Sequence, residues 1–264
     1  MANFFGVFYS NALCRPVHFT AVLCNDNFWG TEENPHYKRP TKNVYLLHGY
    51  SGCDQDWFRD APLSELANRF NVNFFMPNGE NSFYVDRPAT GFRYATFVGQ
   101  EFIDYTRKTF GLSDKREDTF IGGLSMGGFG ALHTGLMFND TFGRIMAFSS
   151  ALIVNGLKAM KEMGDNPMAN VEYYEAVFGD LDEAAKTDHN PEVLVQKLID
   201  EKKQIPEIYM ACGTEDFLLG PNREMKAFFD SVNIPITYFE GPGVHDMVFW
   251  RAQLEAALVW ALEK

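Results

Sequence analysis

Apolar runs and stretches of helical period alternate along most of this chain. Phe4 to Ser10 and Val17 to Cys24 are β-branched and aromatic, which predicts a strand pair with a turn near Asn11. Residues 25–42 are polar and carry Pro35 and Pro40, so a loop is expected there. Val44 to Leu47 reads as a buried strand, Asp56 to Phe70 as a helix, and Val72 to Met76 as a strand stopped by Pro77. Residues 78–94 form a long irregular stretch rich in Gly, Pro and aromatics. Thr96 to Phe110 is an amphipathic helix closed by Gly111. Thr119 to Leu124 predicts a strand, followed by a Gly-rich turn and a helix to Phe138, then a strand over Arg144 to Ser149.

The stretch 155–204 breaks this rhythm. It is charged, helical in places, and punctuated by Gly164, Pro167, Gly179 and Pro191, so a cap-like insertion is expected. The rhythm then resumes with a strand at Ile208 to Cys212, a helix at Asn222 to Ser231, a strand at Ile236 to Glu240 and a helix from Met247 to Leu262. Such alternation predicts an α/β fold: a mostly parallel central sheet with helices on both faces, in one domain spanning residues 1–264. Folds of this kind place their chemistry at the carboxyl ends of strands.

Composition narrows the functional classes. A chain of 264 residues with 46% hydrophobic positions can bury a full core and is not a disordered protein. Its net charge of −12, from 23 Lys+Arg against 35 Asp+Glu, argues against nucleic-acid and anionic-lipid partners. No apolar run approaches the roughly 18 residues that a membrane helix needs. A neutral small molecule suits this balance best. Cys14, Cys24, Cys53 and Cys212 contain no C-x-x-C pair, so zinc and dithiol chemistry are weakly indicated. With no charged segment before Arg15, a signal peptide is not expected, and the four cysteines read as free thiols in the cytoplasm.

Gly123-Leu124-Ser125-Met126-Gly127 carries the strongest chemical signal. It follows an apolar strand and opens a helix, which is the setting that a strained nucleophile turn requires. Backbones pass closely on either side of such a serine, so the positions two before and two after it must be small. An alcohol needs a general base. In this topology the acid and then the histidine follow the serine along the chain. Of six histidines, only His189 and His245 lie beyond Ser125 with room for an acid between. His189 falls in the charged insertion. His245 sits in a Gly-rich loop between a strand and the last helix, and is favoured.

Asp216, just past the strand at Ile208 to Cys212, is favoured as the orienting acid, with its neighbour Glu215 as the alternative. The oxyanion of the reaction needs preorganised donors. The N–H of Met126 is one candidate. The loop His48-Gly49-Tyr50-Ser51-Gly52 supplies the other, from Tyr50 or, second, Ser51. His48 reads as a structural hydrogen-bonding residue. The aromatics Phe83, Tyr84, Phe92, Tyr94 and Phe97 suit a substrate pocket and ordinary packing equally. Met160, Met163, Met168, Tyr173, Tyr174 and Phe178 suit core packing of the insertion better than the underside of a lid.

These residues resemble the esterase D-like branch of the α/β-hydrolases. That branch includes tributyrin, feruloyl and acetyl-xylan esterases, S-formylglutathione hydrolases and, more distantly, mycolyltransferases. The resemblance runs over nearly the whole chain and rests on Leu47-His48-Gly49-Tyr50-Ser51-Gly52, Asn81-Ser82-Phe83-Tyr84, Gly123 to Gly128, Gly213-Thr214-Glu215-Asp216 and His245 to Trp250. It implies hydrolysis of carboxylic esters by Ser125, Asp216 and His245, with Tyr50 and Met126 at the oxyanion hole and no cofactor or metal. It also allows a homo-oligomer. The match is closest to the tributyrin and feruloyl types, for short-chain acyl or aryl esters. Leu124 stands where formylglutathione hydrolases often carry His, although Cys53 near the oxyanion loop keeps that thioesterase reading open. Acyl transfer and a non-catalytic binding protein on the same fold are the remaining rivals.

Overall fold

Eight strands build one sheet, and their apolar side chains point to opposite faces in turn. A computed structural model describes residues 1–24, 33–87, 89–164 and 168–263. In chain order the strands of the large sheet are β1 (Ala2–Ser10), β2 (Arg15–Leu23), β3 (Lys42–Leu47), β4 (Val72–Pro77), β7 (Thr119–Leu124), β8 (Arg144–Phe148), β9 (Glu207–Gly213) and β10 (Thr237–Gly241). They lie side by side in the order β1-β2-β4-β3-β7-β8-β9-β10. In that spatial order the strands from β4 across to β10 are paired parallel, while β1 with β2 and β2 with β4 are paired antiparallel.

Period-2 alternation explains the two cores. In β3, Tyr45 and Leu47 join a cluster with Ile121, Phe129 and Phe102, whereas Val44 and Leu46 join another with Phe70, Phe120 and Leu254. Helix α5 (Met126–Met137) covers the first face; α2 (Leu63–Phe70) and the last helix, α10 (Met247–Leu262), cover the second. Because parallel strands are buried on both faces, β7 and β8 read as continuous apolar runs.

Three departures from the periodicity lie between β3 and β7. The helix expected over Asp56 to Phe70 is two helices, α1 (Asp56–Asp60) and α2, parted at Ala61 and Pro62. Proline forces the residue before it out of helical geometry, and Ala61 is extended at φ −122° and ψ 150°. The irregular stretch 78–94 holds a small ribbon, β5 (Asp86–Arg87) paired with β6 (Phe92–Arg93); Pro88 lies outside the described residues. Finally, the helix expected from Thr96 begins at Tyr94. It runs through α3 (Tyr94–Thr96), a π-helical turn (Phe97–Glu101) and α4 (Phe102–Phe110). Asp86 accepts from the Thr96 N–H at 3.0 Å and from its hydroxyl at 2.6 Å, a tertiary support that local propensity does not contain.

Between β8 and β9 the chain forms α6 (Leu157–Met163), α7 (Val171–Phe178) and α8 (Pro191–Asp200). Asn170 and Asn190 cap α7 and α8 with their side chains, and Pro191 occupies the first turn of α8. Of the loop expected over 25–42, residues 25–32 lie outside the described residues, and Pro35–Lys38 forms a 3-10 turn. The helix after β9, α9 (Leu219–Ser231), starts three residues earlier than its periodicity predicts.

Candidate active site

Ser125 stands between the end of β7 and the start of α5, with φ 56° and ψ −118°. That positive φ is costly for a residue with a side chain and persists only where its surroundings fix it. They do so here with backbone on all sides. The Ser125 N–H donates to the Phe148 carbonyl at 2.9 Å, and the Ser125 carbonyl accepts from Phe129 and Ala151. A Cβ on Gly123 would overlap the Gly127 carbonyl, and one on Gly127 would overlap the Leu47 and His48 carbonyls. Small residues at these two positions are therefore a packing requirement. The N-terminus of α5 points its partial positive charge at the serine.

His245 comes from the loop between β10 and α10. Its Nε2 lies 2.9 Å from Ser125 Oγ, and its Nδ1 lies 2.9 and 3.0 Å from the two Asp216 oxygens. Asp216, in the loop after β9, is buried. Burial alone would raise its pKa. Hydrogen bonds from His245, the Leu218 N–H and the Ser149 hydroxyl outweigh it and hold the carboxyl below the usual carboxylate range. Glu215 faces elsewhere: it accepts from the Gly243 N–H at 2.7 Å and so ties the histidine loop to the aspartate loop. His189 packs against His133 and Phe178, away from Ser125.

The loop after β3 is held from both sides. His48 is buried, and its Nε2 accepts from the Gly79 N–H at 2.9 Å while its Nδ1–H donates to the Gly49 carbonyl at 2.8 Å. Burial drives its pKa down, so the imidazole is neutral and fully engaged as a brace. The Ser51 N–H donates to Asn81 Oδ1 at 2.7 Å. Among the described residues, the N–H groups of Tyr50 and Met126 meet no acceptor.

A cleft of about 650 Å³ opens beside Ser125. Phe83, Met160, Met163, Met168, Tyr174 and Phe217 are among its lining residues, and among the described residues none that lines it is charged. Of the aromatics singled out earlier, Phe83 lines this cleft; Tyr84, Tyr94 and Phe97 are core residues, and Phe92 is exposed on the β5–β6 ribbon. Met163 and Met168 are exposed and line the cleft rather than the core, contrary to expectation, whereas Met160 lines the cleft and also packs against the core as expected. Tyr173 and Phe178 do pack internally, on Tyr174 and on Phe83 and Phe129.

Sequence reasoning passed over three supporting groups. Asn81 anchors Ser51, although it lies in a segment that carries the resemblance. Trp250 donates from Nε1 to Ser149 Oγ at 2.9 Å, so an indole on α10 steadies the hydroxyl that serves Asp216. Phe217 stacks at a tilt on His245, with ring centroids 4.5 Å apart. None carries a local signal, since each meets its partner across a long stretch of chain.

An esterase family model matches residues 31–261. The chain belongs to this family. An acetyl esterase from Caldicellulosiruptor saccharolyticus is 42% identical over 253 residues, 96% of this chain and 95% of that protein. The substrate-bound fluorophosphonate-binding serine hydrolase FphF of Staphylococcus aureus is 29% identical, with a TM-score of 0.86 over 100% of this chain and 99% of that one. The S-formylglutathione hydrolase FrmB of the same organism, also 29% identical, has a TM-score of 0.83 over 99% of this chain and 98% of its own. This esterase is thus an esterase D-like α/β-hydrolase and a carboxylic ester hydrolase. No helix among its described residues is long and apolar enough to cross a membrane.

Proposed function

We propose that Ser125, His245 and Asp216 are the catalytic triad of a serine esterase for neutral, apolar carboxylic esters with short acyl or aryl groups. The observation that carries this reading is the unbroken chain of contacts from Ser125 Oγ through both ring nitrogens of His245 to the Asp216 carboxylate. His245 takes the serine proton at Nε2 as Oγ adds to the ester carbonyl, and the imidazolium is stabilised by Asp216. The tetrahedral oxyanion is received by the N–H groups of Tyr50 and Met126. Tyr50 is preferred to Ser51 because Asn81 already occupies the Ser51 N–H. His245 returns the proton to the departing alcohol. Water, activated by the same imidazole, then splits the acyl-enzyme into acid and free serine.

The absence of charge among the described lining residues favours neutral esters over a glutathione thioester, whose carboxylates would find no cation among them. Similarity to an acetyl esterase supports short acyl groups. Residues 155–204 are read as a cap on a single α/β-hydrolase domain, and four unpaired thiols among the described residues support a cytoplasmic location.

A fluorophosphonate probe tests the nucleophile. Labelling should fall on Ser125 and vanish in Ser125→Ala, whose kcat on p-nitrophenyl acetate should drop by about 10⁶-fold. Wild-type turnover by Ser125→Ala would refute the assignment. In a panel containing methyl ferulate, graded p-nitrophenyl esters and formylglutathione, the thioester should be the poorest substrate.

A further inference from the structure

Phe217 is a large apolar side chain with no part in the proton transfers. It lies in the loop between β9 and α9, next to Asp216, and is 69% exposed. The backbone on either side of it is held. The Asp216 N–H donates to the Gly213 carbonyl at 3.2 Å, and the Leu218 N–H donates to the Asp216 carboxylate at 2.8 Å. The Phe217 ring leans on the His245 imidazole, with centroids 4.5 Å apart and planes at 45°. It also lines the cleft beside Ser125, together with Leu218 and Pro221 from the same segment. Trp250 meets the imidazole as well, edge-on at 4.8 Å, but it is buried. These contacts fix where half of the substrate must lie. The alcohol oxygen of the ester leaves with the proton that His245 Nε2 delivers, so it comes within about 3 Å of that nitrogen. The first atoms of the alcohol group are then beside the imidazole, where Phe217 is the exposed ring. The acyl group hangs on the other side of the carbonyl carbon.

We propose that Phe217 is a specificity-determining residue that receives the alcohol half of the ester, and that this esterase favours alcohols that carry an aromatic ring over small alkyl alcohols and sugars. The inference rests on Ser125, His245 and Asp216 being the triad. Aromatic pairs that meet offset or edge to face stabilise beyond the area they bury, and a ring held one carbon from the ester oxygen is in reach of Phe217. A sugar fares worse. Besides Ser125, the described lining residues offer two side-chain hydroxyls, of Tyr50 and Tyr174, and no side-chain amide or charge. The Tyr50 hydroxyl already donates to the Met168 carbonyl at 3.3 Å. Sugar hydroxyls pressed against such a wall give up their bonds to water without replacement.

The test compares kcat/KM for acetates that differ only in the alcohol. Benzyl and ethyl acetate form the same acetyl-enzyme and release alkoxides of similar basicity, so their ratio reports recognition of the alcohol. Wild type should favour benzyl acetate by at least about tenfold. In Phe217→Ala that ratio should fall by about tenfold, and Phe217→Tyr, which keeps the ring, should retain it. Benzyl butyrate should lose as much as benzyl acetate in Phe217→Ala, because the acyl group lies elsewhere. Equal losses on benzyl and ethyl acetate would assign Phe217 to positioning His245 alone and overturn the proposal. So would a wild type that prefers ethyl acetate or an acetylated methyl xyloside. Fluorophosphonate labelling of Ser125 shows that each variant has folded. Should Phe217→Ala take no label, Phe217→Leu, which keeps bulk without a ring, should lower the same ratio severalfold, and an unmoved ratio would again overturn the proposal. A labelled wild type without alcohol preference keeps the triad and loses this inference. A wild type that neither takes the label nor hydrolyses any ester would remove both.

Discussion

At the scale of single residues, the two adjacent acids after β9 divide the work by direction. Asp216 turns inward to His245, and Glu215 turns back to the Gly243 N–H. Asp216→Asn keeps the shape but offers the imidazole the wrong hydrogen-bonding pattern, and kcat should fall by about 10⁴-fold. Glu215→Gln retains an acceptor for Gly243 and should stay within about threefold of wild type, since an exposed neutral bond replaces an exposed charged one. Comparable losses in the two variants would contradict this division. Ser149 refines the same carboxylate. Removing its hydroxyl in Ser149→Ala takes away one of the bonds that hold the Asp216 pKa down, against the burial that pushes it up. Asp216 then accepts a proton at higher pH, so the loss of kcat in acid should set in at higher pH. An unmoved acid limb would show that Ser149 serves only to pack Trp250.

At the scale of elements, what the sequence revealed was local and what it hid was long-range. The nucleophile turn was legible because strand, two glycines and helix lie within a few residues, and the steric demand on Gly123 and Gly127 follows from that spacing. The last helix was legible to its bounds because Asp246 caps it through the Phe249 N–H at 3.0 Å. By contrast, the start of the helix at Tyr94 depends on Asp86, and the shape of the loop after β3 depends on Asn81, neither of which period or propensity can report. The residues 78–87 act as a strap between that loop and the insertion. Asn81 holds Ser51 with its side chain, and its carbonyl accepts from the Tyr173 hydroxyl of α7 at 2.8 Å. Asn81→Ala should therefore release the Tyr50–Gly52 turn without touching the triad. Kinetics on p-nitrophenyl acetate should show kcat reduced by about 10- to 100-fold and KM nearly unchanged, the pattern of a donor needed in the transition state. A rise in KM at constant kcat would instead assign Asn81 to substrate binding.

At the scale of the whole molecule, the insertion is joined to the sheet through a buried histidine, and this makes stability depend on pH. His133 lies inside α5, is 1% exposed, stacks on Phe129 and bonds through Nε2 to the Asp188 carbonyl at 3.0 Å. Burial, with a smaller contribution from the neighbouring His189, drives its pKa down to about 3; Asp188 opposes the shift only weakly. In the unfolded chain the same imidazole titrates near 6.5. Below that pH the unfolded state binds a proton that the folded state refuses. The stability His133 contributes is thus complete above pH 6.5 and is lost as pH falls toward 3. The slope should reach up to about 1.4 kcal/mol per pH unit. The Asp118 carboxyl follows the same sign in a lower window. Burial raises its pKa, but bonds from Lys42 and Ser113 prevail and hold it below 3.8, so its contribution is lost only in stronger acid. Urea unfolding between pH 7.5 and 4.5 separates the two. Wild type should lose stability across that interval, and His133→Gln, which keeps a donor for Asp188 but cannot be protonated, should be less stable at pH 7.5 yet show a shallower decline. Parallel curves for the two proteins would place the acid sensitivity elsewhere in the fold.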